Sequence, residues 1–248
     1  MADGIYLETE SLIDGAPLFV ILRGRRDALR GSHGKANAKT GAMIQSYIVR
    51  ADVPPVLAAR TGDDASVCGD CPHRPILARE TGAARCYVNL AHGPRVVWDA
   101  VKRGAYRRVT SWLEAAAYCA GAPVRIGSYG DPGAVPAYLW AMLAHGATER
   151  AGYTHRWRDT GADLRGIAMA SVDSIDERDE AWALGWATFR VAETVEDGAD
   201  RARGEARCPA SAEAGKRVTC AECPLKCNGA SGGRVILDHS PGGIGRKL

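Results

Sequence analysis

Seven of the eight cysteines in this 248-residue chain fall into two groups, and close cysteine spacing is the pattern of metal ligation or thiol redox chemistry. The first group is Cys68, Cys71 and Cys86, in CGDCPHRPILARETGAARCYVN, a C-x2-C pair with a third cysteine fifteen positions further on. A C-x2-C turn directs two sulfurs to one point, and Cys86 closes a three-thiolate site. The fourth position is open. Either His73 fills it, giving zinc a Cys3His shell, or one iron of a [4Fe-4S] cluster stays without a protein thiolate and accepts a small molecule. The second group, Cys208, Cys220, Cys223 and Cys227 in CPASAEAGKRVTCAECPLKC, offers four thiolates within twenty residues. It satisfies a structural zinc or a complete cluster unaided, and its C-x2-C-x3-C core fits both. Cys119, in AAAYCAG, reads as a buried core residue. A thioredoxin-like disulfide is disfavoured, because neither pair sits at a clean strand-to-helix junction and the extra cysteines suit ligation better.

The elements that must position these groups come from an ordinary globular composition. Hydrophobic residues at 46% and charged residues at 25% exclude a wholly disordered chain, and the length suffices for one α/β domain, alone or with a small appendage. A net charge of +3, from 32 basic and 29 acidic residues, is too even to mark a nucleic-acid binder by itself. Residues Met1 to Val20 carry Asp3, Glu8, Glu10 and Asp14, unlike a secretory signal. No apolar run reaches the roughly 18 to 20 residues of a membrane-spanning helix, so the expected location is the cytoplasm, with no membrane partner. Eight cysteines would suit a disulfide scaffold only in a small secreted chain.

Residues 1–41 read as an N-terminal segment ending in an exposed basic loop, Leu22 to Gly41, rich in Arg, Lys and Gly. Residues 42–194 read as the core and 195–248 as a cysteine-rich segment. Ala42 to Val53 has the apolar content of a first buried strand, and Val96 to Ala122 shows helical spacing in two segments divided near Gly104 to Arg108. Strand and helix then alternate: strand Pro123 to Ser128, helix Val135 to His145, strand Ala151 to Trp157, strand Gly166 to Val172, helix Glu177 to Leu184 and strand Ala187 to Val191. A final apolar run is Val235 to Leu237. Alternation implies parallel strands with helical crossovers, so the fold class is α/β, an open sheet or, preferred here, a partial or complete TIM-like β/α barrel with a C-terminal metal-binding segment.

Polar residues at strand ends would converge on one mouth of such a fold. Ser128, Asp131, His155 and Asp173 are the residues to test for catalysis, and Tyr129 with Ser128 for cofactor contact. Each also has a structural explanation. Asp131 before Pro132 is a helix-start signal, and Asp173 or Ser174 can cap the helix that follows, so capping is the preferred role of both acids. His155 in GYTHRW suits a hydrogen-bonded structural residue, and Tyr153 and Trp157 suit packing.

The order of features, a three-cysteine loop ending in Cys86-Tyr87, alternating α/β segments and a four-cysteine tail, resembles radical S-adenosylmethionine enzymes that carry an auxiliary cluster. The familiar motif of that family is C-x3-C-x2-C, whereas this chain has C-x2-C-x14-C. The resemblance implies that Cys68, Cys71 and Cys86 hold a [4Fe-4S] cluster whose open iron binds the amino and carboxylate groups of S-adenosylmethionine, and that the cofactor supplies the radical chemistry. In wording the chain is similar to uncharacterised cysteine-rich proteins of phages and bacterial mobile elements, through KTGAMIQSYIVR, CGDCPHR, CYVN, RIGSYGDP, GYTHRW, MASVDS and the CPAS tail, from Lys39 to Cys227.

Three classes of function follow. One is a divergent radical-type enzyme acting on an unidentified small molecule. Another is a zinc-stabilised nucleic-acid binder using Arg23 to Lys39 and KRGAYRR at Lys102 to Arg108, where Tyr106 could stack. The third is a non-catalytic protein-interaction module. The chain has no G-x4-G-K-[ST] loop, no H-E-x-x-H and no G-x-S-x-G, which removes the commonest nucleotide-triphosphatase, zinc-peptidase and hydrolase readings.

Overall fold

The computed structural model describes residues 3–31, 39–82, 86–159, 161–192, 204–211, 215, 218–230 and 232–237. The chain runs β1 (Gly4–Glu10), β2 (Pro17–Arg23), α1 (Arg25–Arg30), β3 (Ile44–Arg50), α2 (Pro55–Thr61), α3 (Ala65–Cys68), α4 (Pro75–Thr81), α5 (Gly93–Lys102), β4 (Arg107–Arg108) and α6 (Trp112–Cys119). It continues with β5 (Val124–Tyr129), α7 (Ala137–His145), β6 (Arg150–Thr154), β7 (Met169–Val172), α8 (Ile175–Ala183), β8 (Thr188–Ala192), β9 (Glu205–Arg207) and β10 (Gly233–Leu237). Single 3-10 turns lie at Pro132–Ala134 and Gly161–Leu164.

All ten strands join one sheet in the order β4-β1-β2-β3-β5-β6-β7-β8-β10-β9. From β3 through β5, β6, β7 and β8 to β10 every pairing is parallel. Strands β5 to β8 are each added beside the last, whereas β4 lies at the opposite edge beside β1 and β10 is inserted between β8 and β9. The fold class is α/β, with a mostly parallel sheet and helices in the connections. Among the described residues, the outermost strands β4 and β9 are not paired with each other.

The amino terminus differs from the sequence expectation. Residues 4–23 form the antiparallel hairpin β1-β2, and β2 pairs antiparallel with β3, so the expected first strand, 42–53, is the third and spans 44–50. The expected basic loop from Leu22 begins instead inside β2 and continues into α1, while residues 32–38 of it lie outside the described residues. β2 reads PLFVILR, with five consecutive buried residues rather than an alternation, because it lies between two strands with both its faces covered.

Two local devices shape the strand ends. Ser46, fully buried in β3, accepts the Gly127 N–H through its hydroxyl at 2.8 Å, where the β3-β5 register shifts between Gln45 and Tyr47. Gly130, at φ +79°, lets the turn after β5 press onto β3; a Cβ there would stand 2.6 Å from the Ile48 carbonyl oxygen.

The far end is locked by buried charge. Glu205 of β9 accepts two 2.8 Å bonds from Arg190 of β8 and lies 3.3 Å from Arg178 of α8, with all three side chains at most 2% exposed. Removing one partner from such a group leaves uncompensated charge in the interior. Glu205→Gln should lower unfolding stability by about 3–5 kcal/mol in urea titrations; a loss under about 1 kcal/mol would mean that the two guanidiniums are solvated.

Candidate functional site

The connection between β3 and α5 carries the first cysteine group, and one guanidinium organises it. Arg74, 8% exposed, donates to Asp64 Oδ1 through Nε (3.0 Å) and Nη2 (2.7 Å), to the Gly69 carbonyl (2.9 Å) and to the Gly62 carbonyl (2.7 Å). Asp64 is 1% exposed, and burial raises its pKa against the pull of Arg74. Within this frame the Cys71 N–H bonds the Cys68 carbonyl, and the Cys86 N–H bonds the His73 carbonyl at 2.8 Å. That last bond brings the distant third cysteine onto the C-x2-C turn. Gly69, at φ +61°, has Arg156 lying against it, where a Cβ would meet the guanidinium at 2.6 Å.

The three thiols lie close enough to repel one another as thiolates. Burial, followed by the charges of Cys71 and Cys86, pushes the Cys68 pKa well up. Burial is also the largest influence on Cys71 and Cys86, raising both, although the His73 and Val88 N–H groups oppose it. Half-buried thiols with raised pKa values ionise only beside a compensating cation, so Cys68, Cys71 and Cys86 are thiophilic donors carried on one connection. Tyr129, 5% exposed at the end of β5, lies in the field of Cys68 and Cys86.

The loop docks on neighbouring strand ends through Asp131, whose N–H donates to the Val67 carbonyl at 2.7 Å. Asp131 Oδ1 caps the 3-10 turn by accepting the Gly133 N–H and also accepts the Thr154 hydroxyl at 2.6 Å; Oδ2 accepts the His155 N–H at 2.7 Å. Capping is therefore one part of its work, and fixing the end of β6 is the other. The capping expectation for Asp173 is corrected: Ser174 is the N-cap of α8, its hydroxyl accepting the Glu177 N–H at 3.1 Å. Asp173 instead accepts from, or donates to, His73 Nε2 at 2.9 Å according to the imidazole tautomer and carboxyl protonation, with His155 Nε2 3.7 Å from its second oxygen. The two imidazoles stand edge to face, centroids 5.3 Å apart. Burial lowers the His155 pKa despite the nearby Asp173 and Asp131. His73 thus has its Nε2 engaged by a carboxylate.

Ser128 does not join this group. It donates to Gln45 Oε1 at 2.7 Å, bridging β5 to β3 beside the register shift.

The second cysteine group lies beside β6. Cys208, Cys220, Cys223 and Cys227 line one small recess with Ala151, Pro209, Ala210 and Leu225. The Gly152 N–H bonds the Cys227 carbonyl at 3.1 Å, and the Cys220 and Ala221 N–H groups bond the Lys39 and Thr40 carbonyls at 2.9 and 3.0 Å. Burial pushes the Cys208 thiol up to about 11. Next to this recess is Arg125 of β5, 5% exposed, stacked 4.2 Å over the Tyr153 ring and in the field of Cys220 and Cys227. Its Nη1 is shielded from water and has no hydrogen-bond partner among the described residues. A buried guanidinium with a vacant donor beside four thiols fits a thiolate-ligated metal, whose net negative charge and sulfur acceptors would satisfy it. Cys119 is fully buried in the core as expected, with its pKa pushed up to about 12 by burial.

Sequence reasoning missed Asp64, Arg74, Arg125 and the His73–Asp173 pairing, because none carries a spacing signal; they are joined only by contacts across 10 to 100 positions. In the basic segment 102–108, Lys102 lies over the Phe19 and Trp98 rings, and Arg107 and Arg108 pair with Glu114 and Glu8. Tyr106 lies against Gly4. No helix among the described residues is long and apolar enough to cross a membrane. Comparison with protein-family models, with curated proteins and with solved structures finds no match.

Arg74→Met leaves Asp64 buried without its cation and removes two carbonyl anchors. Local opening of the loop should become easier by about 3 kcal/mol, read as faster amide exchange at Gly69 and Cys71. Unchanged exchange at those amides would show that the loop is held by other contacts.

Proposed function

We propose that the chain is an iron-sulfur metalloprotein: a divergent radical S-adenosylmethionine-type enzyme, of phage or mobile-element kind, acting on a small molecule. In this reading Cys68, Cys71 and Cys86 hold a [4Fe-4S] cluster with one open iron, Cys208, Cys220, Cys223 and Cys227 hold an auxiliary cluster, and the parallel run β3 to β10 is a partial β/α barrel. The observation that carries it is the placing of three half-buried cysteines on the connection after the first parallel strand, with the Cys86 N–H bonded to the His73 carbonyl and the Val67 carbonyl bonded by the segment following β5. Side-by-side addition of the parallel strands β5 to β8 is the winding of β/α barrels, and their chemistry gathers at the carboxyl ends of the strands. The cluster and S-adenosylmethionine would together supply reductive cleavage of the sulfonium to a carbon radical.

This chain's residues would hold and shield that chemistry. Arg74 and Asp64 fix the loop, the buried Tyr129 lies in the field of Cys68 and Cys86, and Asp131 ties the loop to the end of β6. One observation weighs against the zinc-stabilised nucleic-acid-binding alternative: in segment 102–108, Lys102 lies over aromatic rings and Arg107 and Arg108 pair with acids.

Anaerobic purification followed by iron, sulfide and zinc analysis tests the proposal. Iron and acid-labile sulfide in near-equal amounts are expected, with roughly half lost in a Cys68→Ala, Cys71→Ala, Cys86→Ala variant. Reduction with dithionite in the presence of S-adenosylmethionine should release 5′-deoxyadenosine from the parent protein and none from that variant. Zinc at both cysteine groups without sulfide would end the reading and leave a scaffolding role.

A further inference from the structure

We propose that His73, His155 and Asp173 form a further metal site, with a donor set distinct from both cysteine groups, that binds one divalent first-row cation and leaves coordination positions open. Three separate segments supply the donors: the cysteine loop, the residue after β6 and the residue after β7. Their ligand atoms all lie within 4.8 Å of one another. Metal bonds of about 2.1 Å put neighbouring ligand atoms roughly 3.0–3.4 Å apart; His73 Nε2 stands 2.9 Å from Asp173 Oδ1 and His155 Nε2 stands 3.7 Å from Oδ2, so the imidazoles face the two oxygens of one carboxylate.

A simple hydrogen-bonded His–Asp–His cluster does not account for the arrangement. In such a cluster both imidazoles would bond the carboxylate. Here only His73 does, while His155 Nε2 stops 3.7 Å from it, is shielded from water and has no hydrogen-bond partner among the described residues. A buried ring nitrogen left in this state calls for an unseen partner. The local charge selects its sign. Carboxylates stand around it: Asp173 Oδ2 lies 3.7 Å from His155 Nε2, and Asp131 Oδ2 accepts the His155 N–H. Imidazole nitrogens backed by carboxylates receive a cation. The supporting bonds are those of an oriented site: Asp131 Oδ2 holds the His155 N–H at 2.7 Å, and Glu177 Oε2 holds the Asp173 N–H at 2.8 Å. Two imidazoles and one carboxylate suit iron, cobalt or zinc and leave room for water or a substrate oxygen; thiolate groups prefer softer chemistry.

The test titrates Co2+ into the anaerobically purified protein with its cysteine groups already loaded, whether by iron-sulfur or by zinc, so its result is independent of the cluster proposal. One Co2+ per chain should bind with weak visible bands lacking intense thiolate charge transfer. Proton NMR of the loaded wild-type protein should show paramagnetically shifted exchangeable imidazole protons, a readout that requires no variant. His155→Ala and Asp173→Asn should each weaken binding at least about tenfold. Absence of stoichiometric Co2+ binding, thiolate charge transfer in the bound form, or binding without shifted imidazole protons would each overturn the site.

Discussion

A loop of some forty residues between β3 and α5 has no strand ladder of its own, so its shape depends on a buried ion pair. Arg74 reaches Asp64, Gly62 and Gly69 with a single planar group, and a guanidinium does this where an ammonium could not, because its donors diverge in fixed directions. Once the segment 62–74 is closed on itself, the Cys86 N–H can find the His73 carbonyl and the Asp131 N–H can find the Val67 carbonyl. The placing of Cys86 beside the C-x2-C turn, and the docking of that turn on the segment after β5, both follow from that closure. The arrangement is costly in isolation, since burial opposes ionisation of Asp64 as well as of the cysteines. A cation supplied to the thiols would relieve one of those two burdens.

The sheet carries the constraint further. Asp131 follows β5 and holds the end of β6, so a displacement of the cysteine loop is felt at Thr154 and His155. On the same two strands, Arg125 and Tyr153 stack beside the second cysteine group, and Arg125 Nη2 also approaches the Tyr87 hydroxyl at 3.4 Å, next to Cys86 in the chain. The two cysteine groups are therefore packed against a shared pair of strands, with an aromatic and a guanidinium between them. Under the proposed function, this gives one rigid support to both clusters.

Much of the parallel core was legible from the residues. The runs around 124–129, 169–172 and 188–192 are short, apolar and bounded by glycine or polar residues, and helices 137–145 and 175–183 keep helical periodicity. The hairpin at 4–23 was not, because acidic residues in GIYLETE hide its alternation and the basic residues after Leu22 draw attention to loop character. Asp173 was misread as a cap since Ser174, its neighbour, is an equally good one, and only the fold shows which side chain turns back to the helix.

The sequence by itself determined that seven cysteines fall into two groups, that strands and helices alternate after residue 123, and which polar residues end the strands, because each of these is a matter of type and spacing. The tertiary structure alone decided that His73 meets Asp173 across 100 positions, that Asp131 serves β6 as well as its own turn, and that Arg125 lies buried beside thiols some hundred residues away. Local periodicity encodes which face of an element is buried. It does not encode which buried charge will oppose which, since that is settled only when non-adjacent strands are brought into register and water is excluded between them.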